Sequence, residues 1–499
     1  MRPIPFNNLY ASLGDEFFVR TKPEVVRKRE LIRFNHDLAS ELGLSNTELD
    51  TGPDTELNSV AASIFSGNQV PEGAEPLAMA YAGHQFGQFN PQLGDGRAIL
   101  LGEIDRQDGQ SVGIHLKGSG RTTFSRGGDG KAALGPVLRE YLLSEAMHKL
   151  GIPTTRALAA VKTGEEVARQ QLSPGGVITR AASSFVRVGT FQYFAARDNA
   201  PAIRKLADFV IKRNYPELQE KANPYTAFMS SVVERQAALI AQWMNIGFIH
   251  GVMNTDNMSV AGETIDYGPC AFMDYFDYNQ VYSSIDRHGR YAYSNQPSIA
   301  VWNLTRLAET LLPLFADDTD EAVEIAKQIL TAFASNYQQN LLDGMRKKIG
   351  FTIARDDDQV LIDDLLKLMD EHKADFTLTF YYLSRSIEDN VSAGLDLNEL
   401  FDSSTEFSDW LSRWRKRLTT EDIDTCSRST MMLATNPVYI PRNHQIEAAI
   451  RAAEDNDDLS VFHELHEILQ RPFDQQEGKD RFMLPPEPHE VVEQTFCGT

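Results

Sequence analysis

The sequence predicts an α+β fold in which a small mixed α/β lobe precedes a large helical one. Short apolar runs bounded by glycine, the pattern of strands, are concentrated between Leu93 and Val188. From about Phe191 onward the apolar residues recur mostly at helical spacing. The chain of 499 residues is 42% hydrophobic and 24% charged. That suffices for a sizeable core, and at roughly 150 residues per unit it allows about three units.

The elements follow in chain order. Val25 to Leu42 carries a helical pattern, and the polar tract from Ser45 to Pro53 reads as a loop, so residues 1–75 are expected to be an N-terminal extension packed on the lobes. Residues 76–190 form the small lobe. Its strands are expected at Ala98 to Ile104, Val112 to Lys117, Arg156 to Val161 and Gly176 to Ala181. Between them Pro136 to Leu150 reads as a helix, with proline in its first turn and Gly151 just past its end. Residues 191–499 form the helical lobe and a C-terminal extension, with helices expected at Pro201 to Ile211, Tyr225 to Met244, Ile299 to Leu314, Asp320 to Lys348, Val360 to Asp370 and Gln445 to Glu454. No fixed period repeats along the chain, which argues against a solenoid.

Lys and Arg total 48 against 70 Asp and Glu, a formal charge of -22. Such a surface repels a phosphate backbone, so nucleic acid is excluded as a main partner. Three cysteines, Cys270, Cys426 and Cys497, cannot build a disulfide framework, and none lies in a Cys-x-x-Cys pair. Met1 to Asn8 lacks the apolar core of a secretion signal, and no run reaches the ~18 to 20 apolar residues of a membrane span. The expectation is a cytoplasmic protein with no membrane partner. The acidic tracts Asp356-Asp357-Asp358 and Asp455-Asn456-Asp457-Asp458 lack the glycine and terminal glutamate of a calcium loop and read as solvated loops. Phe462-His463-Glu464-Leu465-His466-Glu467 spaces its histidines three apart, not the four of a zinc-protease helix, and reads as an amphipathic helix face.

Lys117 ends a predicted strand, and Glu140, 23 residues on, shares a helix face with Leu143 and Met147. An inward glutamate needs a cation. A strand lysine held by a helical glutamate is the arrangement with which kinase-like folds grip ATP phosphates. A second constellation runs from His250 through Asn254-Thr255-Asp256-Asn257 to Ile265-Asp266-Tyr267-Gly268. Asn257 and Asp266, nine residues apart, fit the asparagine and aspartate that share the nucleotide's metal in kinase-type loops, and both offer the hard oxygens that suit Mg²⁺. The usual catalytic aspartate lies five positions before that asparagine, and here Val252 stands there. Asp256 is the available substitute, from a different side. Leu93-Gly94-Asp95-Gly96-Arg97 and Arg126-Gly127-Gly128-Asp129-Gly130-Lys131 are glycine-rich loops through which backbone N–H groups approach an anion. Neither is a Walker loop or a dinucleotide fingerprint. Arg180 and Arg187 add guanidinium forks that match phosphate oxygens. Lys117, Arg97, Arg121, Arg126, Lys131, Arg180 and Arg187 concentrate positive charge in one lobe of an acidic protein, as a polyphosphate site requires.

Tyr81-Ala82-Gly83-His84-Gln85-Phe86-Gly87, Leu93 to Arg97, His115-Leu116-Lys117-Gly118-Ser119-Gly120, the Arg126 to Gly130 loop and His250 to Asn257 closely resemble the selenoprotein O (YdiU) family of protein adenylyltransferases. The likeness runs from about Phe6 to the C-terminus. It implies a protein-kinase-like two-lobed fold that binds ATP reversed and transfers AMP to Ser, Thr or Tyr hydroxyls of target proteins, releasing pyrophosphate. Position by position it implies that Gly94, Gly96, Arg97, Lys117, Asp129, Gly130, Arg180 and Arg187 bind the nucleotide. Asn257 and Asp266 would hold Mg²⁺ or Mn²⁺, Asp256 would accept the proton, and Glu140 would orient Lys117. Bacterial members resembling it also use UTP with Mn²⁺, so UMP transfer is a second form of the expectation. A monomer is expected. Animal relatives carry selenocysteine near the chain end, which raises a switchable disulfide between Cys497 and Cys270 or Cys426. Two other readings stand beside this one: a conventional protein or small-molecule kinase, opposed by Val252 and the additional arginines, and a non-catalytic ATP-binding pseudokinase, opposed by the intact Lys117, Glu140, Asn257 and Asp266.

Overall fold

The computed structural model describes residues 3–44, 49, 56–169, 171–388, 396–492 and 495. Its organising feature is an 8-stranded sheet in the first part of the chain. The strands are β1 (Phe18–Arg20), β2 (Glu30–Phe34), β3 (Leu77–Met79), β6 (Ala98–Asp105), β7 (Ser111–Lys117), β8 (Ala132–Ala133), β9 (Arg156–Ala168) and β10 (Leu172–Ala182). Their spatial order is β1-β3-β6-β7-β10-β9-β2, with β8 paired to β10. Each of these strand pairs is antiparallel, and the helices are segregated after the sheet, as in an α+β fold. A separate hairpin, β4 (Gly83–Gln85) with β5 (Gln88–Asn90), stands off the sheet.

The helical pattern expected over Val25 to Leu42 does not form as one helix. Glu30–Phe34 is a strand whose Ile32 and Phe34 point inward at period two, and it pairs with the edge of β9. Only α1 (His36–Glu41) is helical there, begun by Asn35, whose side chain accepts from the Leu38 N–H at 3.0 Å. Sheet pairing outweighs local propensity because it buries Ile32 and Phe34. Residues before 76 thus supply both edge strands of the sheet. After α2 (Glu56–Phe65), the strands expected at Ala98 and Val112 lie within one residue of their limits, whereas those expected at Arg156 and Gly176 extend as one long hairpin to Ala168 and back from Leu172. Strands β3, β4, β5 and β8 were not expected.

Helix α3 (Leu134–Lys149) crosses the sheet against β9 and β10. It is buried almost all round because later helices cover its back. The helical part comprises α4 (Val188–Ala195), α5 (Ala200–Asn214), α6 (Pro224–Asn245), α7 (Gln296–Phe315), α8 (Thr319–Lys348), α9 (Asp358–His372), α10 (Phe376–Arg385), α11 (Thr405–Leu418), α12 (Thr425–Leu433), α13 (Asn443–Asn456) and α14 (Ser460–Leu469). Helices α6, α7 and α8 pack on one another, whereas α13 and α14 return to lie on α3. Glu454 of α13 accepts from the Gly135 N–H at 2.8 Å, capping the N-terminus of α3, where a carboxylate also complements the helix dipole. The C-terminal elements therefore fix the helix that carries Glu140. Among the described residues no helix is long and apolar enough to cross a membrane.

One further expectation changes. Asp358, placed in a solvated acidic loop, is 1% exposed and receives Arg346 Nε at 2.9 Å and Arg417 Nε at 2.8 Å. Two converging guanidinium groups make burial of this carboxylate tolerable. The Asp455–Asp458 tract is exposed, as read. Cys270 is buried and Cys426 exposed, while Cys497 lies outside the described residues.

Candidate active site

Strand periodicity assembles the site. His115 and Lys117, two apart on β7, share one face, and Arg180 on β10 sits directly opposite His115 in the register. From α3, Glu140 reaches the same face. Lys117 Nζ donates to Glu140 Oε2 at 2.7 Å and to Asp266 Oδ1 at 3.1 Å. Arg180 Nη1 donates to Asp266 Oδ1 at 2.6 Å and to Glu140 Oε1 at 3.2 Å. Arg187 Nη1, at the start of α4, donates to Asp266 Oδ2 and to the Asp256 carbonyl, each at 2.7 Å. Asp266 is the hub, and its backbone takes the left-handed conformation at φ 62°, which aspartate tolerates better than most residues. Burial works against its charge, but Arg187, Lys117 and Arg180 hold its carboxyl well below the usual range.

Behind Arg180 lies a chain that the sequence reading missed. Arg180 Nη2 donates to His115 Nδ1 at 2.8 Å, and since a guanidinium cannot accept, Nδ1 is the bare nitrogen. The proton therefore sits on Nε2, which donates to Asp95 Oδ2 at 3.1 Å. Burial keeps His115 below its ordinary pKa, consistent with a neutral ring. Arg187 also stacks over the Tyr81 ring at 4.6 Å. The pairing of His115 with Arg180 depends on the register of β7 against β10, for which the sequence carries no local signal.

The β4–β5 hairpin closes over the Asn254 to Asp256 turn. His84 N–H donates to Thr255 Oγ1 at 2.6 Å, Phe86 N–H to Asn254 Oδ1 at 3.0 Å, and Gln85 Nε2 to Asp256 Oδ2 at 3.1 Å. Asp256 Oδ1 is buried with no hydrogen-bond partner, and burial pushes the carboxyl up to about 6. Asn257 Nδ2 donates to the Val252 carbonyl at 3.0 Å, which leaves its amide oxygen as the group open to the cavity.

The twelve residues given roles by the resemblance all line one cavity of about 820 Å³, and of the seven cations grouped from the sequence only Arg121 does not. Within it the glycine loops differ in detail from the expectation of backbone anion cradles. The N–H groups of Gly94 and Asp95 donate to the Tyr81 and Met79 carbonyls. Glycine is required at 94 because φ is 66° and a Cβ would lie 2.2 Å from the Phe124 ring. Gly130, at φ 70°, would drive a Cβ to 2.1 Å from the Gly120 carbonyl. Asp129 is held by Arg169 at 2.8 and 3.0 Å, a fork-to-fork pair that fixes the loop. Arg97 and Lys131 line the same wall.

Residues 2–470 match the family described as Protein adenylyltransferase SelO. The chain belongs to the SelO protein adenylyltransferase family. It is 57% identical over 495 residues to Protein nucleotidyltransferase YdiU of Rhodopseudomonas palustris (strain BisB5), covering 99% of both chains. It is 54% identical over 499 residues to the protein of that name from Rhizobium meliloti (strain 1021), covering 100% of both. With the one from Bradyrhizobium sp. (strain ORS 278) identity is 55% over 498 residues and 99% of both. This SelO family member is accordingly a nucleotidyltransferase, with a nucleotide and a protein as substrates.

Proposed function

We propose that this SelO family member transfers AMP from ATP to Ser, Thr or Tyr hydroxyls of target proteins, with the nucleotide bound reversed so that its α phosphorus faces the acceptor and pyrophosphate leaves. UMP transfer from UTP is the alternative form. The reading includes a protein-kinase-like two-lobed fold, with an extension over 1–75, a nucleotide-binding lobe over 76–190 and a helical lobe with a C-terminal extension over 191–499. It also includes a monomer located in the cytoplasm.

One observation carries most weight: Lys117, Arg180 and Arg187 converge on Asp266 within one cavity, while Val252 occupies the place of a kinase's catalytic aspartate. Two buried arginines and a partly buried lysine suit a whole triphosphate held deep, more than a terminal phosphate offered outward. Lys117, held by Glu140, together with Arg180 and Arg187, would bind the phosphates, with Gly94, Gly96, Arg97, Asp129 and Gly130 shaping the wall around them. The Asn257 amide oxygen and the Asp266 carboxylate form an all-oxygen donor pair open to the cavity, which fits Mg²⁺ or Mn²⁺. Such an ion, when bound, supplies neutralisation of charge on the phosphates. Asp256, which lines the cavity and has a raised pKa, would take the acceptor hydroxyl's proton. Positioning and charge neutralisation dominate this chemistry, so Val252 in place of a carboxylate is compatible with activity.

Incubation with ATP labelled at the α or the γ phosphate, in the presence of acceptor protein, tests the proposal. Label entering protein from the α position alone is the expected result. Label from γ alone would make the chain a kinase, and label from neither a non-catalytic binder.

A further inference from the structure

A groove of about 1680 Å³ opens off the nucleotide cavity, and the two share Pro136, Arg139, Arg169, Val252, Pro269 and Ile285 as lining. A protein whose hydroxyl reaches the cavity must lay its flanking residues along a surface continuous with it. Ile285, Leu484 and Val491 line the groove at 66%, 50% and 51% exposure. Single exposed apolar residues are ordinary, but three lining one groove beside a cavity that admits protein make a contact surface.

Arg139 stands where groove and cavity meet. It lies on α3 one position before Glu140 and is 6% exposed. Its Nη1 donates to the Cys270 carbonyl at 3.3 Å, and among the described residues no carboxylate lies within 4.0 Å of it. The other arginines lining the groove are paired: Arg169 with Asp129, Arg451 with Glu447 and Glu454, and Arg481 with Glu464. Burial lowers the Arg139 pKa, and the Glu447 carboxylate of the groove, itself paired with Arg451, opposes this only in part. Beyond its bond to Cys270 the guanidinium leaves most of its five donors facing the cavity and groove, where an anion can complete them. Arg139 stands apart from the proposed phosphate cradle: Lys117, Arg180 and Arg187 gather on Asp266, whereas Arg139 makes no hydrogen bond to Asp266 or Glu140. It contacts instead the segment after Asp266 that borders the groove.

The geometry points to this groove as the docking site for an extended segment of the target protein, with Arg139 pairing an Asp or Glu side chain close to the acceptor hydroxyl. The inference rests on the transfer reading for the nature of the partner. On a chain of charge -22 an acidic side chain is repelled generally, so its selection here would be local.

The test uses the full chain and short fluorescein-labelled peptides with one central Tyr among Ala, Ser and Leu, in which Glu, Gln or Lys is scanned across the flanking positions. Affinity is read by fluorescence anisotropy, and ATP affinity by displacement of a fluorescent ATP analogue. The expected result is that Glu at one fixed offset binds about tenfold tighter than Gln, the size of one charge-assisted hydrogen bond. Arg139→Gln removes that preference and leaves ATP affinity unchanged. Leu484→Asp, a surface change that does not disturb α3, weakens all peptides while keeping the Glu preference. Equal binding of the Glu, Gln and Lys series to the wild-type chain overturns the inference. So does a parallel loss of ATP affinity in Arg139→Gln, which would place Arg139 in the phosphate cradle. Self-association on sedimentation without peptide binding would assign the groove to a second copy and also overturn it. Because anisotropy reads docking without catalysis, failure of α-label transfer would sink the transfer reading separately.

Discussion

Arg187 ties Asp256 to Asp266: its Nη1 donates at 2.7 Å both to the Asp256 carbonyl and to the Asp266 carboxylate. Burial alone would raise both carboxyl groups. Asp266 receives Lys117 and Arg180 as well and falls well below the ordinary range, whereas Asp256 is opposed by little beyond Arg187 and rises to about 6. Neighbouring carboxylates pushed apart in this way can divide acid–base labour: the depressed one stays anionic, as the proposed metal ligand must, and the raised one can exchange a proton near neutral pH.

Asp266→Ala is expected to reduce α-label incorporation by ~10²-fold or more, since it removes both the proposed metal ligand and the anchor of three cations. It should also destabilise the fold. Lys117 and Arg180 keep Glu140, but Arg187 is left with Asp95 at 4.0 Å. Orphaning a buried cation costs about 3 kcal/mol, read as a lower denaturant midpoint. Unchanged transfer would show that Asp266 holds no metal.

Asp256→Asn separates chemistry from binding. The amide still accepts from Gln85 but takes no proton, so kcat should fall by ~10²- to 10⁴-fold while the KM for ATP stays constant. Thermal stability should hold or rise, because the variant removes a charge that burial disfavours. A retained kcat in steady-state assays would exclude Asp256 as proton acceptor.

The helical part and the central strands were legible because their apolar periodicities are long and uninterrupted, as in Pro224–Asn245 and Thr319–Lys348. Lys117 with Glu140 was legible for the same reason: strand and helix periods put both on the buried face. Glu30–Phe34 was not, since a five-residue strand at a sheet edge is decided by its partner β9, a contact more than a hundred residues away. Asp358 was misread because two arginines distant in sequence make its burial possible. The Asp95–His115–Arg180 chain needed the register of β7 against β10, which no local pattern encodes. The clasp of Gln85 on Asp256 likewise joins residues 171 positions apart.

His115→Phe tests that buried chain. Phenylalanine fills the space beside Phe185 that His115 stacks on, but Arg180 Nη2 and Asp95 each lose a partner. Arg180 should then be misplaced for phosphate binding, raising the KM for ATP by about tenfold, the worth of one hydrogen bond to a charged group. The kcat at saturating ATP should change far less. An unaltered KM would mean that Arg180 is fixed by Glu140 and Asp266 alone.

Lys348 offers a pH test remote from the site. It is 3% exposed at the end of α8, with Nζ 4.1 Å from the Phe380 ring centroid and 5.5 Å from that of Phe376. Burial lowers its pKa from 10.5 to about 7. Between those values the unfolded chain binds more protons than the folded one, so the destabilisation is complete below pH 7 and disappears above pH 10.5. A shift of this size corresponds to at most about 5 kcal/mol, and two cation–π contacts offset about 2 kcal/mol of it. Lys348→Met keeps the unbranched shape without the charge. It should stabilise the protein by about 3 kcal/mol at pH 7, with the gain shrinking toward pH 10, as measured by urea unfolding at both values. A gain that does not vary with pH would show that folding leaves the lysine's proton affinity unchanged, the rings holding the ammonium as firmly as water does.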